Sequence, residues 1–118
     1  MIENFIERIF WIQDQLKLRY WQEKRLHHAL CMGQFYNELI LKFDNLVKAY
    51  LSGDKDIIIS KELYVIENDV DINEIIFETK EFLEYIKTHK EGWGGGMQSI
   101  IDDILAAVEI FANTINKQ

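Results

Sequence analysis

A chain of 118 residues is close to the usual size of one domain, and its 48% hydrophobic content is enough for one core, so we expect a single domain over residues 1–118. The net charge of −7 disfavours direct nucleic-acid binding, because such binding draws its non-specific affinity from basic side chains that neutralise phosphates. The single cysteine, Cys31, excludes an internal disulfide.

The first two predicted helices follow from apolar residues spaced three and four apart. Proline is absent, which favours long uninterrupted helices, and we predict helix 1 at about residues 3–22 and helix 2 at about 27–51. Helix 2 has the strongest pattern in the sequence, typical of the seam of a helical bundle. Its seam residues are His28, Met32, Phe35, Leu39, Phe43, Leu46 and Tyr50. Cys31 lies in a helical stripe, so we interpret it as a core residue and not as a nucleophile.

The helical spacing of apolar residues is interrupted between Asp54 and Asp71. Residues 57–59 and 63–66 are β-branched, leucine or aromatic, and such runs favour extended structure more than a broken helix. The extended connection would be either a hairpin or a strap that lies across the bundle. Asp71 is predicted to cap the N-terminus of helix 3, with Glu74 completing a capping box. This connection is the longest one between the predicted helices.

Helix 3 is predicted at about 72–89 and helix 4 at about 97–116, joined by the glycine-rich segment Gly92–Gly96. A phosphate-binding loop would need Lys and Ser or Thr at fixed positions after the glycines, so we interpret this segment as a helix connection. Trp93 within it is either a lid on the core or an exposed contact residue. The fold class is therefore all-α, a four-helix bundle with one longer, partly extended crossover between helices 2 and 3.

Functional bundles of this kind bind metal through Glu, Asp and His side chains that project inward from facing helices. The candidates are His27, His28, Glu38, Asp44, Asp102, Asp103 and Glu109. Neither Glu-x-x-His, nor His-Glu-x-x-His, nor a paired-cysteine motif is present, so the common di-iron and zinc patterns are missing. An inert interior therefore stays open as an alternative.

Several motifs are similar to a known family. They are Tyr20-Trp21-Gln22, His27-His28-Ala29-Leu30, Phe35-Tyr36-Asn37-Glu38-Leu39, Phe43-Asp44 with Val47-Lys48-Ala49-Tyr50, residues 57–71, and Ser99 to Leu105. Together they resemble Dps-like mini-ferritins and, more closely, a family of small ferritin-like proteins encoded largely by tailed phages. The resemblance spans nearly the whole chain and implies a ferritin-like bundle.

The resemblance also implies a set of metal-binding positions, which fall here on Tyr20, His27 or His28, Asp44 and Lys48. Tyrosine stands in place of a histidine and lysine in place of a glutamate, so the implied site is degraded. A protonated ammonium has no lone pair to bind a metal. We hypothesise that Lys48, four residues after Asp44 on the same helical face, replaces the ion by a salt bridge, or else extends into solvent.

Three hypotheses for the function follow. The first is a non-catalytic ferritin-like assembly or protein-interaction module, encoded by a phage, that forms homo-oligomers or binds a phage or host protein. Its candidate contact residues are Trp11, Trp21 and Trp93, with Phe10 and Leu18 also off the main stripe, although a wide core stripe in a monomer would explain them too.

The second hypothesis is an active mini-ferritin that binds and oxidises iron, and the third is an acidic phage inhibitor of a host protein. On the first hypothesis we expect no cofactor. No run reaches the ~18 apolar residues of a membrane span, and the first residues do not resemble a signal peptide, so we expect a cytoplasmic protein without membrane contact.

Overall fold

The computed structural model describes residues 5–52, 65–89 and 96–117. This part of the chain contains four helices and no strand: α1 (Phe5–Gln22), α2 (Leu26–Leu51), α3 (Ile72–Thr88) and α4 (Met97–Lys117). Where a helix end lies within the described residues, the predicted bound agrees with it to within one residue. The prediction of an all-α four-helix bundle is therefore confirmed. Among the described residues, no helix is long and apolar enough to cross a membrane.

The core is built from the stripes that the periodicity predicts. Every predicted seam residue of α2 is buried, from His28 at its start to Tyr50 near its end. The same holds for Ile75, Phe82 and Leu83 of α3. Because neighbouring helices interdigitate through side chains at these spacings, a regular stripe on each helix is sufficient to define which face turns inward.

Helix α3 begins at the predicted cap. The side chain of Asp71 accepts a hydrogen bond from the backbone N–H of Asn73 at 3.3 Å, which satisfies one of the free N–H groups of the first turn. Glu74 makes no side-chain bond back to Asp71, so the cap is present without the second half of the predicted capping box.

All four neighbouring helix pairs run antiparallel. The ring of Phe5 at the start of α1 stacks on Tyr50 near the end of α2, and Arg8 of α1 pairs with Glu78 of α3. Two further contacts give the directions of the other pairs: Phe35 stacks on Phe111 between α2 and α4, and Lys80 pairs with Glu109 between α3 and α4. Helices α2 and α3 are therefore parallel and lie on a diagonal of the bundle.

Because α2 and α3 are parallel, the chain between Leu51 and Ile72 connects opposite ends of the bundle. Bundles with one such crossover include the ferritin-like folds. Val65, Ile66 and Glu67 of this connection are in neither helix nor strand, and the rest of the predicted extended runs, residues 57–59 and 63–64, lies outside the described residues.

One contact anchors the described end of the connection to α1. The buried side-chain amide of Gln15 accepts a hydrogen bond from the backbone N–H of Glu67 at 2.7 Å and donates one to its carbonyl at 3.1 Å. A buried amide is costly unless its polar atoms find hydrogen-bond partners, and here the backbone N–H and C=O of Glu67 bond to its oxygen and its nitrogen.

Candidate functional site

The predicted metal-binding residues of α2 lie far apart along the helix. His27 and His28 are in its first turn, whereas Asp44 follows sixteen residues after His28 on the same helix. At a rise of 1.5 Å per residue, this places them about 24 Å apart along the helix axis. His28 and Asp44 of one chain therefore do not converge on one ion.

The two histidines differ in environment. His27 is exposed, whereas His28 is buried in the seam and makes no hydrogen bond to any described residue. A buried polar side chain without a partner is uncommon in native proteins. His28 is thus the one predicted metal ligand whose side chain is held inside the bundle.

The ring of Tyr20 packs against α2 at Gly33. A Cβ atom at Gly33 would come within 3.0 Å of the Tyr20 ring, so a residue without a side chain is what allows the ring to lie so close. Tyr20 is half-buried, and its ring is close to Lys17. The residue that stands in place of the family's histidine is therefore used in packing between α1 and α2.

Asp44 and Lys48 do not form the hypothesised salt bridge. Both side chains are exposed, and neither makes an ion pair with any described residue. Asp44 instead lies beside Phe10 and Val47 in a shallow groove between α1 and α2. Of the two alternatives, the solvated lysine is the one observed, because the solvent already stabilises an exposed ammonium and an exposed pair adds little.

The acidic candidates on the other helices take part in ion pairs. Lys42 of α2 bridges to Asp103 of α4 at 2.6 Å and to Glu38 at 3.8 Å. The remaining two, Asp102 and Glu109, pair with lysines of α3 at 3.3 and 2.6 Å. Within residues 5–52, 65–89 and 96–117, no group of three or more His, Cys, Asp or Glu side chains is arranged to bind a metal ion.

The candidate contact residues separate into distinct environments. Trp21 is 67% exposed at the end of α1. Trp11 is half-buried against the core, with the guanidinium of Arg8 at 5.8 Å from its ring centroid. Trp93 lies outside the described residues. Cys31, predicted in the core, is half-buried against it, and burial raises the pKa of its thiol, which disfavours the reactive thiolate.

A carboxylate organises the turn between α1 and α2. Glu23 accepts hydrogen bonds from the backbone N–H and the guanidinium of Arg25 and from the guanidinium of Arg19. The hydrogen bond from Arg25 is the main cause that lowers the pKa of Glu23 to about 2. The basic residues that the sequence clusters here are therefore partly neutralised by Glu23.

The outer surface of α1 and α2 carries most of the exposed apolar side chains. Of the ten large apolar side chains exposed in the described part of the chain, six belong to these two helices, two to α3 and α4, and two to the connection. We call these six residues the α1–α2 face: Phe10, Trp21, Leu26, Leu30, Leu41 and Leu51. Isolated exposed apolar residues are ordinary, but six on two adjacent helices indicate a contact surface.

Sequence reasoning identified Phe10 and Trp21 of this face but missed its leucines. The signal was present, because Leu26, Leu30 and Leu41 fall between the seam positions of α2 and must therefore point away from the core. A second arrangement was missed as well: the ammonium of Lys17 lies within 6 Å of three aromatic ring centroids. That arrangement depends on the register between α1 and α2.

No protein-family model, curated protein or solved structure matches this chain.

Proposed function

We propose that this chain is a non-catalytic interaction module of ferritin-like type that assembles with copies of itself through the α1–α2 face. The observation that carries the proposal is the concentration of six exposed large apolar residues on α1 and α2. A closed symmetric homo-oligomer is the commonest assembly for a soluble protein, and in a two-fold dimer the same face serves both partners.

The leucines of the face are large enough to matter energetically. Full burial of a leucine side chain contributes about 1.5–3 kcal/mol, so Leu26, Leu30 and Leu41 would contribute at most about 4.5–9 kcal/mol for each copy before the costs of association, which are about 4–15 kcal/mol. A dissociation constant of 1 μM corresponds to about 8 kcal/mol. Trp21, an exposed aromatic of the type enriched in binding hot spots, adds to the contribution of the leucines.

The test is the mass of the protein in solution, measured by light scattering coupled to gel filtration. We expect the wild-type chain to be an oligomer at micromolar concentration. Leu30→Glu should raise the dissociation constant at least about tenfold, because a charge would have to be buried in the contact. Retained helicity by circular dichroism would show that the variant is folded.

Helix α3 offers a matched control. Phe77 is 57% exposed and Leu30 is 56% exposed. Phe77→Glu therefore introduces a charge at an equally exposed position that is on α3 and outside the α1–α2 face. We expect Phe77→Glu to leave the oligomer unchanged. A wild-type chain that stays monomeric at these concentrations, or equal effects of the two variants, would contradict assembly through the α1–α2 face.

A second candidate function is iron binding and oxidation at a site shared by two copies. The imidazole of His28 favours it, because it is buried and makes no hydrogen bond to a described residue. The distance of about 24 Å to Asp44 means that these two ligands could meet only across an interface. Titration with ferrous iron tests it. Stoichiometric binding lost in both His28→Ala and Asp44→Ala, with the oligomer intact, would support this function over the first.

The cellular location and the origin of the protein stay predictions. We propose a cytoplasmic location and a phage origin, for which the free thiol of Cys31 and the motif resemblance are the supports. A phage or host protein on the α1–α2 face, and inhibition of a host protein by an acidic surface, are the alternatives if the chain proves monomeric.

A further inference from the structure

Three aromatic rings surround the ammonium group of Lys17. Its Nζ atom is 4.5 Å from the ring centroid of Tyr36, 5.5 Å from that of Trp21 and 5.7 Å from that of Tyr20. All three distances are within the ~6 Å at which a cation is attracted to the face of an aromatic ring. We call Tyr20, Trp21 and Tyr36 the aromatic cage.

The cage is a product of both helices. Tyr20 and Trp21 follow Lys17 by three and four residues on α1, which places them on the same side of the helix as the lysine. Tyr36 belongs to α2 and completes the cage from across the helix pair. The close contact of Tyr20 with Gly33 sets how near α2 can come, so the spacing of the rings is built into the packing of α1 on α2.

The electrostatic surroundings also favour a cation. Asp14 precedes Lys17 by three residues on α1, which places its carboxylate on the same side of the helix as the cage. Burial, together with the negative charge of Asp14, raises the pKa of Tyr36. A carboxylate beside aromatic faces adds its attraction for a cation to that of the ring quadrupoles. The cage therefore combines the two features that recognise an alkylated ammonium.

Lys17 is the resident cation but is held only by the rings. It forms no ion pair with any acidic residue in the described ranges, and it is half-buried, so its head group is within reach of solvent. A lysine side chain has four flexible bonds and carries substantial rotamer entropy, which is gained when it leaves the cage for water. A second cation could then take its place.

We propose that Tyr20, Trp21 and Tyr36 form a binding site for a small organic cation with a quaternary ammonium group, and that Lys17 occupies this site in the free chain. A quaternary ammonium has a larger apolar surface and is less strongly hydrated than a lysine ammonium, so it gains more from the rings at a lower desolvation cost. The proposal concerns a small ligand and does not rest on self-assembly. Trp21 belongs both to the cage and to the α1–α2 face, so a bound cation and a second copy of the chain would compete for this ring.

The test removes the Lys17 side chain from the cage and measures the binding of choline. Lys17→Ala removes the internal competitor, and binding is followed by the NMR signals of the tryptophan indoles and of the α1 backbone. We expect Lys17→Ala to bind choline at least about tenfold more tightly than the wild-type chain, because the competing cation–π contacts are gone. Lys24→Ala, which removes an exposed lysine outside the cage, should bind like the wild type.

Two further comparisons separate cation recognition from simple apolar binding. Dimethylbutanol, the neutral carbon isostere of choline, should not bind to Lys17→Ala. In that background Tyr36→Phe should retain choline binding, whereas Tyr36→Leu should lose it, because only the former keeps a ring. Choline binding no tighter than in the wild type by folded Lys17→Ala, or equal binding of dimethylbutanol, would overturn the proposal.

Discussion

The two helical hairpins of this bundle share one apolar core but differ in the further contacts that join their helices. The α1–α2 hairpin is joined by ring and apolar contacts, such as the stack of Phe5 on Tyr50 with centroids 4.4 Å apart. The α3–α4 hairpin is joined at its surface by ion pairs such as Lys80–Glu109. Between helices, the ion pairs of described residues link α1 to α3, α2 to α4 and α3 to α4. In the α1–α2 hairpin they are confined to the turn, where Arg19 and Arg25 pair with Glu23.

The outer surfaces of the two hairpins also differ in how many apolar side chains they expose. The α3–α4 hairpin exposes two large apolar residues in its described part, Phe77 and Ile110, whereas the α1–α2 hairpin exposes six. A surface with many exposed apolar side chains is suited to bury a partner, whereas a surface covered by ion pairs is suited to contact with solvent. The contrast favours the α1–α2 side over the α3–α4 side for the contact proposed above.

The largest expected effect comes from breaking the packing between α1 and α2. Phe5→Ala removes a fully buried ring that stacks on Tyr50 and also contacts Phe82 of α3. We expect the free energy of unfolding to fall by about 3–5 kcal/mol, because the change leaves a cavity in a close-packed core. Urea denaturation followed by circular dichroism measures the loss, which should be the same at low and high salt.

An intermediate effect is expected at the turn of the same hairpin. Glu23→Gln should lower the free energy of unfolding at pH 7 by about 1 kcal/mol, since the Arg25 partner is exposed and solvent screens the pair. The pKa of Glu23 is lowered to about 2 from an ordinary 4.5, so its contribution is present above pH 4.5 and is lost as the pH falls toward 2.

Chemical denaturation at several pH values tests this prediction through the difference between wild type and Glu23→Gln. The difference should be constant near neutrality and should vanish toward pH 2. Lys24→Gln, in the same turn but outside these hydrogen bonds, serves as the control and should reproduce the wild-type curve. A difference that persists unchanged at pH 2 would mean that the carboxylate charge is not what stabilises the turn.

The smallest effect is expected in the α3–α4 hairpin. Lys80→Met removes the 2.6 Å ion pair with Glu109 while keeping the length of the side chain. Both partners are partly exposed, so we expect a loss of about 0.2–1 kcal/mol at low salt. The loss should disappear in about 1 M salt, where charges are screened within about 3 Å. If the loss matched that of Phe5→Ala or resisted salt, the contrast between the two hairpins would be wrong.

The helices and their buried faces could be predicted from the sequence because both are local properties. A stripe repeated over about six turns, as from His28 to Tyr50 in α2, is recognised from spacing alone. The distance between His28 and Asp44 was also available from the sequence, because two residues on one helix are separated by a known rise. The wide separation of the candidate ligands therefore required no structure.

The contacts between distant segments could not be predicted. The cage around Lys17 depends on the register of α1 against α2, which sequence periodicity does not determine. The ion pair between Lys42 and Asp103 likewise depends on which two helices are neighbours, and an amphipathic pattern states only that a face is buried. Long-range pairing is set by the packing of whole helices, so individual partners emerge only once the bundle is assembled.

The contact between Gln15 and Glu67 has a consequence for how substitutions will be tolerated. The amide of Gln15 bonds only to the backbone N–H and C=O of residue 67, so nearly any amino acid at that position preserves both bonds. Proline is the exception, because it has no N–H to donate. At position 15, by contrast, Glu lacks the donor and Asn is one methylene shorter. Mutational tolerance should therefore be high on the connecting segment and low on the helix that receives it, although the two residues share one contact.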